Sequence, residues 1–507
     1  MTVNGELDGP LYVKVSHAGS AVADVRDPTY PTDSSATILV VPENPSTLGA
    51  GHFTGTVTVT ACVKDPTCAT GQLVGSPKTL PVSYEIKPSV QSDTVMPYLT
   101  TAGSAGKVVI RGKGFSAAGI DTVSFGTTSA TAFNIVSDSE IHATHSGLAA
   151  GRHTVTLKAG GSLVPFDGTL VAVPSVAYPA SLLPYGGTLT ETRGLLYDAE
   201  RRVLFVAAVG ITPEFNTLMR FPLSTYGTSV PSGSGVPRLR DIALTPDGTR
   251  LLVLTDDALM QKDPVTLTTL VTTPAAQPFS QGFQHLRELE VTNEGFALVT
   301  SGVYGSGFAD LCLYSINDAA FYLTPDLLVT QASVGASADG SSLVIAHPTV
   351  YYDASTGRIA RARHGLADHG HSWYDATVKP AVSRSGHRVV MTGRDYAGNA
   401  HTTVYDASLA NVLGHLPTAS ASNSEASSGI AIQPDGSRAY VFDRAAMAIR
   451  TFDLTGAPVA GFYPEVLPAR AVPAGLGSSL TYRMLVSPDG TTLFIGGTGA
   501  AAMMPAP

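Results

Sequence analysis

Apolar residues in this chain come in short runs, and the runs are punctuated by a recurring tetrad of turn-forming residues. It reads YDAE at Tyr197, TPDG at Thr245, TNEG at Thr292, SADG at Ser337, SRSG at Ser383, QPDG at Gln433 and SPDG at Ser487. An apolar run precedes each tetrad (DIALTPDG, GIAIQPDG, MLVSPDG) and another follows it (RLLVL, RAYVF, TLFIG). Each unit therefore predicts strand, tight turn, strand, with Asp-Gly or Asn-Glu-Gly supplying hairpin chemistry. The starts are 48, 47, 45, 46, 50 and 54 residues apart. Seven hairpin units at a period in the forties predict a seven-bladed β-propeller.

The last unit is one strand short, since only AAAMMP follows TLFIGG. The segment Val176 to Leu183 (VAYPASLL) is expected to complete it. A ring closed by a strand from its N-terminal side leaves no exposed sheet edge at the seam. Upstream of the ring, LYVKVSHA, ATILVVP, FTGTVTVTACV and LPVSYEIKP alternate in polarity between Gly, Pro and Asp clusters, the pattern of a β-sandwich. A second set, GKVVIRGKGF, DTVSFGTTSATAF, NIVSDSEIHATHS and GRHTVTLKAGG, predicts another. The expectation is an all-β chain of three domains: sandwiches over 1–87 and 88–173, then the propeller over 174–507.

Composition narrows the function classes. A net charge of -9, with only 14% charged residues, disfavours non-specific nucleic-acid binding. No run of 18 apolar residues exists, so no transmembrane segment is expected. The opening MTVNGELDGPLYVKV reads as folded strand rather than as a signal peptide. Either the protein is cytosolic or a leader lies outside this numbering. Cys62 and Cys68 favour the second, because they bracket VKDPT at a spacing that a hairpin disulfide closes. The alternative is two unpaired thiols, and Cys312 has no obvious partner.

Three resemblances refine this picture. GHFTGTVTVTAC and GSPKTLPVSYEI in the first domain resemble small immunoglobulin-like modules of bacterial surface and secreted proteins. The second domain resembles the IPT/TIG family, through Gly112, Gly114 and Phe115, then Val123, Phe125 and Gly126, then Gly151 with Val155. That resemblance implies an immunoglobulin-like spacer or binding module without catalytic residues. In the ring, a strand, the tetrad, an apolar strand and then YYDASTGRI, VYDASLANV or TFDLTGAPV resemble the YVTN/lactonase-like propellers. TNEG and SRSG depart from that family's tetrad. WD40 repeats are excluded by the missing Gly-His and Trp-Asp pairs, and a single Trp argues against a quinoprotein propeller.

Candidate chemistry gathers at two places. Seven or eight residues before the tetrad's fourth position, where each innermost strand begins, stand Arg193, Arg240 with Asp241, Arg287 with Glu288, Ser333, Lys379, Gly429 and Arg483. Arg483, Arg193, Arg240 and Arg287 belong to neighbouring units, and converging guanidinium forks suit a carboxylate or phosphate. The competing reading is that they brace adjacent blades against Asp241, Glu288 and backbone carbonyls. His285 and Tyr482 flank these positions and are the candidate acid and base if the site is catalytic. The second place is RARHGLADHGHSWYD: His364, Asp368, His369 and His371 are candidate metal ligands, and Trp373 is a candidate stacking surface for a sugar. Its spacing matches no specific zinc signature. G-x-S-x-G, H-E-x-x-H and Gly-Lys-Ser are absent, and no cofactor is expected.

The expectation is therefore an extracellular, cell-surface or periplasmic bacterial binding protein. Its propeller would hold an anionic or carbohydrate ligand, or a surface protein, at an Arg-lined channel mouth. An enzyme, either a lactonase or a lyase or hydrolase of acidic sugars, is the competing class. A structural subunit of a surface assembly is the third.

Overall fold

A computed structural model describes residues 9–32, 35–48, 51–86, 90–186, 189–225, 232–245, 247–275, 284–292, 295–303, 309–329, 333–338, 340, 342–346, 350–353, 358–361, 371–372, 378–395, 400–409, 411–417, 429–477 and 483–507. The architecture is all-β. The tetrads set it, and their chemistry is visible atom by atom. In Thr245–Gly248 the Gly248 N–H donates to the Thr245 carbonyl at 2.8 Å, and the Thr245 hydroxyl accepts the Arg250 N–H at 3.0 Å. Ser337, Ser383 and Ser487 repeat both bonds. A first-position hydroxyl is therefore buried and satisfied in these four turns. The glycine sits at φ between +66° and +79° in all six Gly-ending tetrads, a conformation that strains any side chain. Carboxylates of Asp247, Asp435 and Asp489 accept the N–H two residues on.

These hairpins build the C-terminal β-propeller. Among the described residues it has seven antiparallel sheets, each starting from an innermost strand. Those strands are Leu189–Asp198, Leu239–Leu244, Gln284–Val291, Ser333–Ala336, Ala381–Val382, Ile430–Ile432 and Arg483–Val486. Each packs on the next, and Arg483–Val486 packs back on Leu189–Asp198. In the seventh sheet, Ser181–Pro184 pairs antiparallel with Ala500–Pro505, Ser181 opposite Met503 and Pro184 opposite Ala500. An N-terminal strand thus supplies the piece the last unit lacks. Leu183 and Phe494 are fully buried at this seam, and the Tyr197 ring stacks on Phe494 with centroids 4.7 Å apart.

Residues 90–173 fold as a sandwich of two sheets. Ile110, Phe115, Phe125, Ile141, Leu157 and Leu170 are fully buried between them. Further upstream, Leu11–Gly19, Gly51–Val63 and Lys78–Ile86 form a three-stranded antiparallel sheet, covered by the ribbon of Val22–Val25 and Val40–Pro42. Ala21, Val22, Val57 and Val59 are its buried centre. Cys62 and Cys68 are joined in a disulfide, and Cys312 is buried in the strand Ala309–Ser315.

Candidate functional site

The channel of the propeller is crossed by charge. Asp241 accepts the Leu289 N–H of the next sheet at 3.0 Å, and Glu288 accepts the Val334 N–H of the sheet after that at 3.1 Å. The two carboxylates hold equivalent positions seven residues before their tetrad glycines, so one sheet-to-sheet bond is used twice. Both are almost completely buried. Two cations reach across the ring to neutralise them. Lys379, from the fifth sheet, contacts Asp241 at 2.6 Å, Glu290 at 2.8 Å and the Leu289 carbonyl at 3.2 Å. Arg483, from the seventh, contacts Glu288 at 2.5 Å and the Arg193 carbonyl at 2.8 Å. Burial opposes the Lys379 charge, but Asp241, Glu290 and Glu288 outweigh it and hold the ammonium well above its ordinary range. Burial likewise pushes Glu288 up, and Arg483, Lys379 and Arg287 overcome it, so this carboxyl titrates below its usual range. These bridges form a waist in the channel.

On the strand-entrance side of the waist lies a mouth of guanidinium groups. Arg240 pairs with Asp256, and Arg287 is half-buried beside Glu288. The Arg193 side chain is 33% exposed, and its nearest carboxylate, Glu191, is 3.8 Å away. Burial, and after it the neighbouring Arg240, pulls the Arg193 pKa down, with Arg483 adding to the effect. Arg287 shifts the same way, through burial and then the charges of Arg483, Arg240 and Arg193, against the opposing pull of Glu288. His285 shares this face. Its ring lies so close to Gly302 that a Cβ there would come 3.0 Å from it. Burial, then Arg240, Arg287 and Arg193, lowers the His285 pKa to about 4.

A pH dependence follows from that shift. Between about pH 6.5 and 4 the unfolded chain protonates this imidazole and the folded chain does not, so stability falls as pH drops through that window. Below about pH 4 both states carry the proton and the loss stops. His285→Gln is expected to flatten the acid limb of melting temperature against pH by about one proton's slope.

On the other side of the waist every tetrad is preceded by an aliphatic residue: Leu196, Leu244, Val291, Ala336, Val382, Ile432 and Val486. They line a chamber of about 390 Å³ with Lys379, Glu290 and Arg483 at its charged end. Met96, Tyr98 and Leu99 of the preceding sandwich line it too, at the turn end. The Tyr98 ring packs against Gly248, where a Cβ would come within 2.8 Å of it. Leu99, Val171 and Val173 cluster with Ala199. Arg152 pairs with Glu200, and Asp489 accepts the Ser175 hydroxyl and the Val176 N–H at 2.9 and 2.8 Å. The sandwich is therefore a stopper in the turn-side opening.

Arg193, Arg240, Arg287 and His285 thus share the mouth, and Lys379 and Arg483 form the waist next to it. Tyr482, His364, Asp368, His369 and Trp373 lie outside the described residues. His371 is in the short strand His371–Ser372, opposite Asp395 and Arg394. Among the described residues no group of three His, Cys, Asp or Glu side chains is arranged to hold a metal. Glu290, Asp256 and Tyr98 were not singled out from sequence. Glu290 stands two residues after Glu288, so strand alternation puts it on the same face.

The class defined so far is an IPT/TIG-containing β-propeller protein. Residues 88–172 match the IPT/TIG domain family. Among solved structures, a β-propeller domain from Myceliophteria thermophila is similar at 11% identity and TM-score 0.45, over 65% of this chain and 100% of that one. Kuenenia stuttgartiensis hydrazine synthase gives 13% and 0.45, over 63% and 97%. A chain of a mitotic checkpoint complex gives 12% and 0.46, over 66% and 98%. No curated protein matches.

Proposed function

We propose that this chain is an extracellular or cell-surface bacterial binding protein whose propeller recognises an anionic ligand at the arginine mouth. In this reading the seven sheets are the blades of one ring, of YVTN/lactonase-like kind. An immunoglobulin-like module over 1–87 and the IPT/TIG-like module over 88–173 precede the propeller of 174–507. The Cys62–Cys68 disulfide supports an oxidising compartment.

One observation carries the ligand reading. Lys379 and Arg483 are paired with buried carboxylates, but the nearest carboxylate to Arg193 is Glu191 at 3.8 Å, and burial with the charges of Arg240 and Arg483 outweighs the pull of Glu191 and Asp256. Like charges held together in a half-buried mouth are relieved by an incoming carboxylate, sulfate or phosphate, whether free or on a saccharide or protein. Binding is favoured over turnover because an imidazole with a pKa of about 4 is a weak base at neutral pH. An acidic-sugar enzyme or a lactonase would need a better one.

The test is calorimetry on the full chain at low salt, with glucuronate and inorganic sulfate as probes. Arg193→Ala with Arg287→Ala is expected to weaken binding about 100- to 10,000-fold, since each charge-assisted bond is worth roughly 1.5–3 kcal/mol and two are removed. Equal affinity in wild type and variant removes the reading.

A further inference from the structure

A second cavity lies apart from the mouth, at the junction of the IPT/TIG domain and the propeller. Its volume is about 760 Å³, within the roughly 300–1,000 Å³ of small-molecule clefts, which favour such domain boundaries. One wall is the outer face of the sheet containing Gly106–Lys113, Ala132–Ser137 and Glu140–His145. Register puts Asn134 opposite His142, and Lys107 opposite Thr144 one row along. Ile110, Ile141 and Ala143 fill the opposite face, so Asn134, His142 and Lys107 stand exposed toward the cleft. The other wall is made of the fifth, sixth and seventh tetrads, which bring Arg384, then Gln433 and Asp435, then Asp489.

We propose that this cleft is a saccharide subsite, selective for neutral sugars and separate from the arginine mouth. Asn134 presents an amide oxygen and nitrogen in one plane, the geometry that pairs with two adjacent hydroxyls, and Asp435 keeps one carboxylate oxygen beyond the one that accepts the Ser437 N–H, while Gln433 is fixed by the Gly490 carbonyl and the Tyr440 hydroxyl. Charges balance, with Lys107 and Arg384 against Asp435 and Asp489, so no net field selects an anion. Asp489 and Arg384 are also held by the fold, the first by Ser175 and Val176 and the second through the Pro488 carbonyl. That fixes the tetrad wall before any ligand arrives, which lowers the ordering cost of binding. Lys107, Asn134 and His142 complete the site from the IPT/TIG domain, so neither domain alone forms it.

The test uses the full chain and a panel of neutral di- and trisaccharides of glucose, galactose, mannose and N-acetylglucosamine, read by calorimetry and saturation-transfer NMR. At least one is expected to bind, with Asn134→Ala plus His142→Ala weakening it tenfold or more and Arg193→Ala leaving it unchanged. Both exposed substitutions leave the sandwich core intact, and an unshifted melting temperature checks this. Binding by no member of the panel at millimolar concentration overturns the proposal. So does binding that survives the double substitution or is lost in Arg193→Ala. The arginine-mouth reading stands or falls separately, on glucuronate and sulfate.

Discussion

Lys379→Met is expected to cost about 3–5 kcal/mol of propeller stability, measured by urea unfolding. The substitution leaves Asp241, whose side chain is 1% exposed, and Glu290 facing each other without their shared ammonium. An uncompensated buried carboxylate is far costlier than the pair it came from is stabilising. Asp241→Asn added to Lys379→Met should therefore restore part of the loss. The Leu289 N–H keeps an acceptor in that double variant, so the sheet-to-sheet bond survives. A cost below about 1 kcal/mol for Lys379→Met alone would mean that the waist is solvated and holds nothing together.

Leu99→Asp is expected to unseat the stopper. Leu99 is 9% exposed and packs with Val171, Val173 and Ala199, so a carboxylate there has no partner of opposite charge in its cluster. The loss should be several kcal/mol at the domain seam. Because the damage is local, the readout is domain separation: faster proteolysis near residues 174–180 and a larger radius of gyration. The conservative Leu99→Met should leave both unchanged, volume being preserved. Unchanged proteolysis in Leu99→Asp would show that Tyr98, Arg152 and Asp489 suffice to hold the domains together.

The ring was legible in the sequence because its turns are chemically demanding. A hydroxyl that must cap an N–H five residues on, and a glycine at positive φ, leave a written trace every forty-odd residues. The closing strand was legible for a similar reason, as the last unit lacks a strand. The charges at the strand entrances were visible as residues but not as pairs. Lys379 meets Asp241 and Arg483 meets Glu288 across more than 100 positions, and only the curvature of the ring brings them together. Bracing is what the contacts of Arg483 and Lys379 show, and the ligand reading is left to Arg193 and to the binding test proposed for it. Arg483 and Lys379 brace, while Arg193 stands with little compensation at the mouth. The stopper was not legible, because VMPYL, which joins the strands Gln91–Met96 and Leu99–Thr101, looks like any other apolar run. Its role depends on a rigid-body placement that no local pattern encodes.

The pairing of Ser181–Pro184 with Ala500–Pro505 also sets an order of assembly. The first of these strands leaves the ribosome more than 300 residues before its partner, roughly 15–65 seconds at about 5–20 residues per second. During that interval its backbone N–H and C=O groups have nothing native to pair with, and Leu183 has no core to enter. Translation must pass the strand Ala500–Pro505 before the seam can close, so nascent chains held short of Ala500 should be the ones that recruit chaperones.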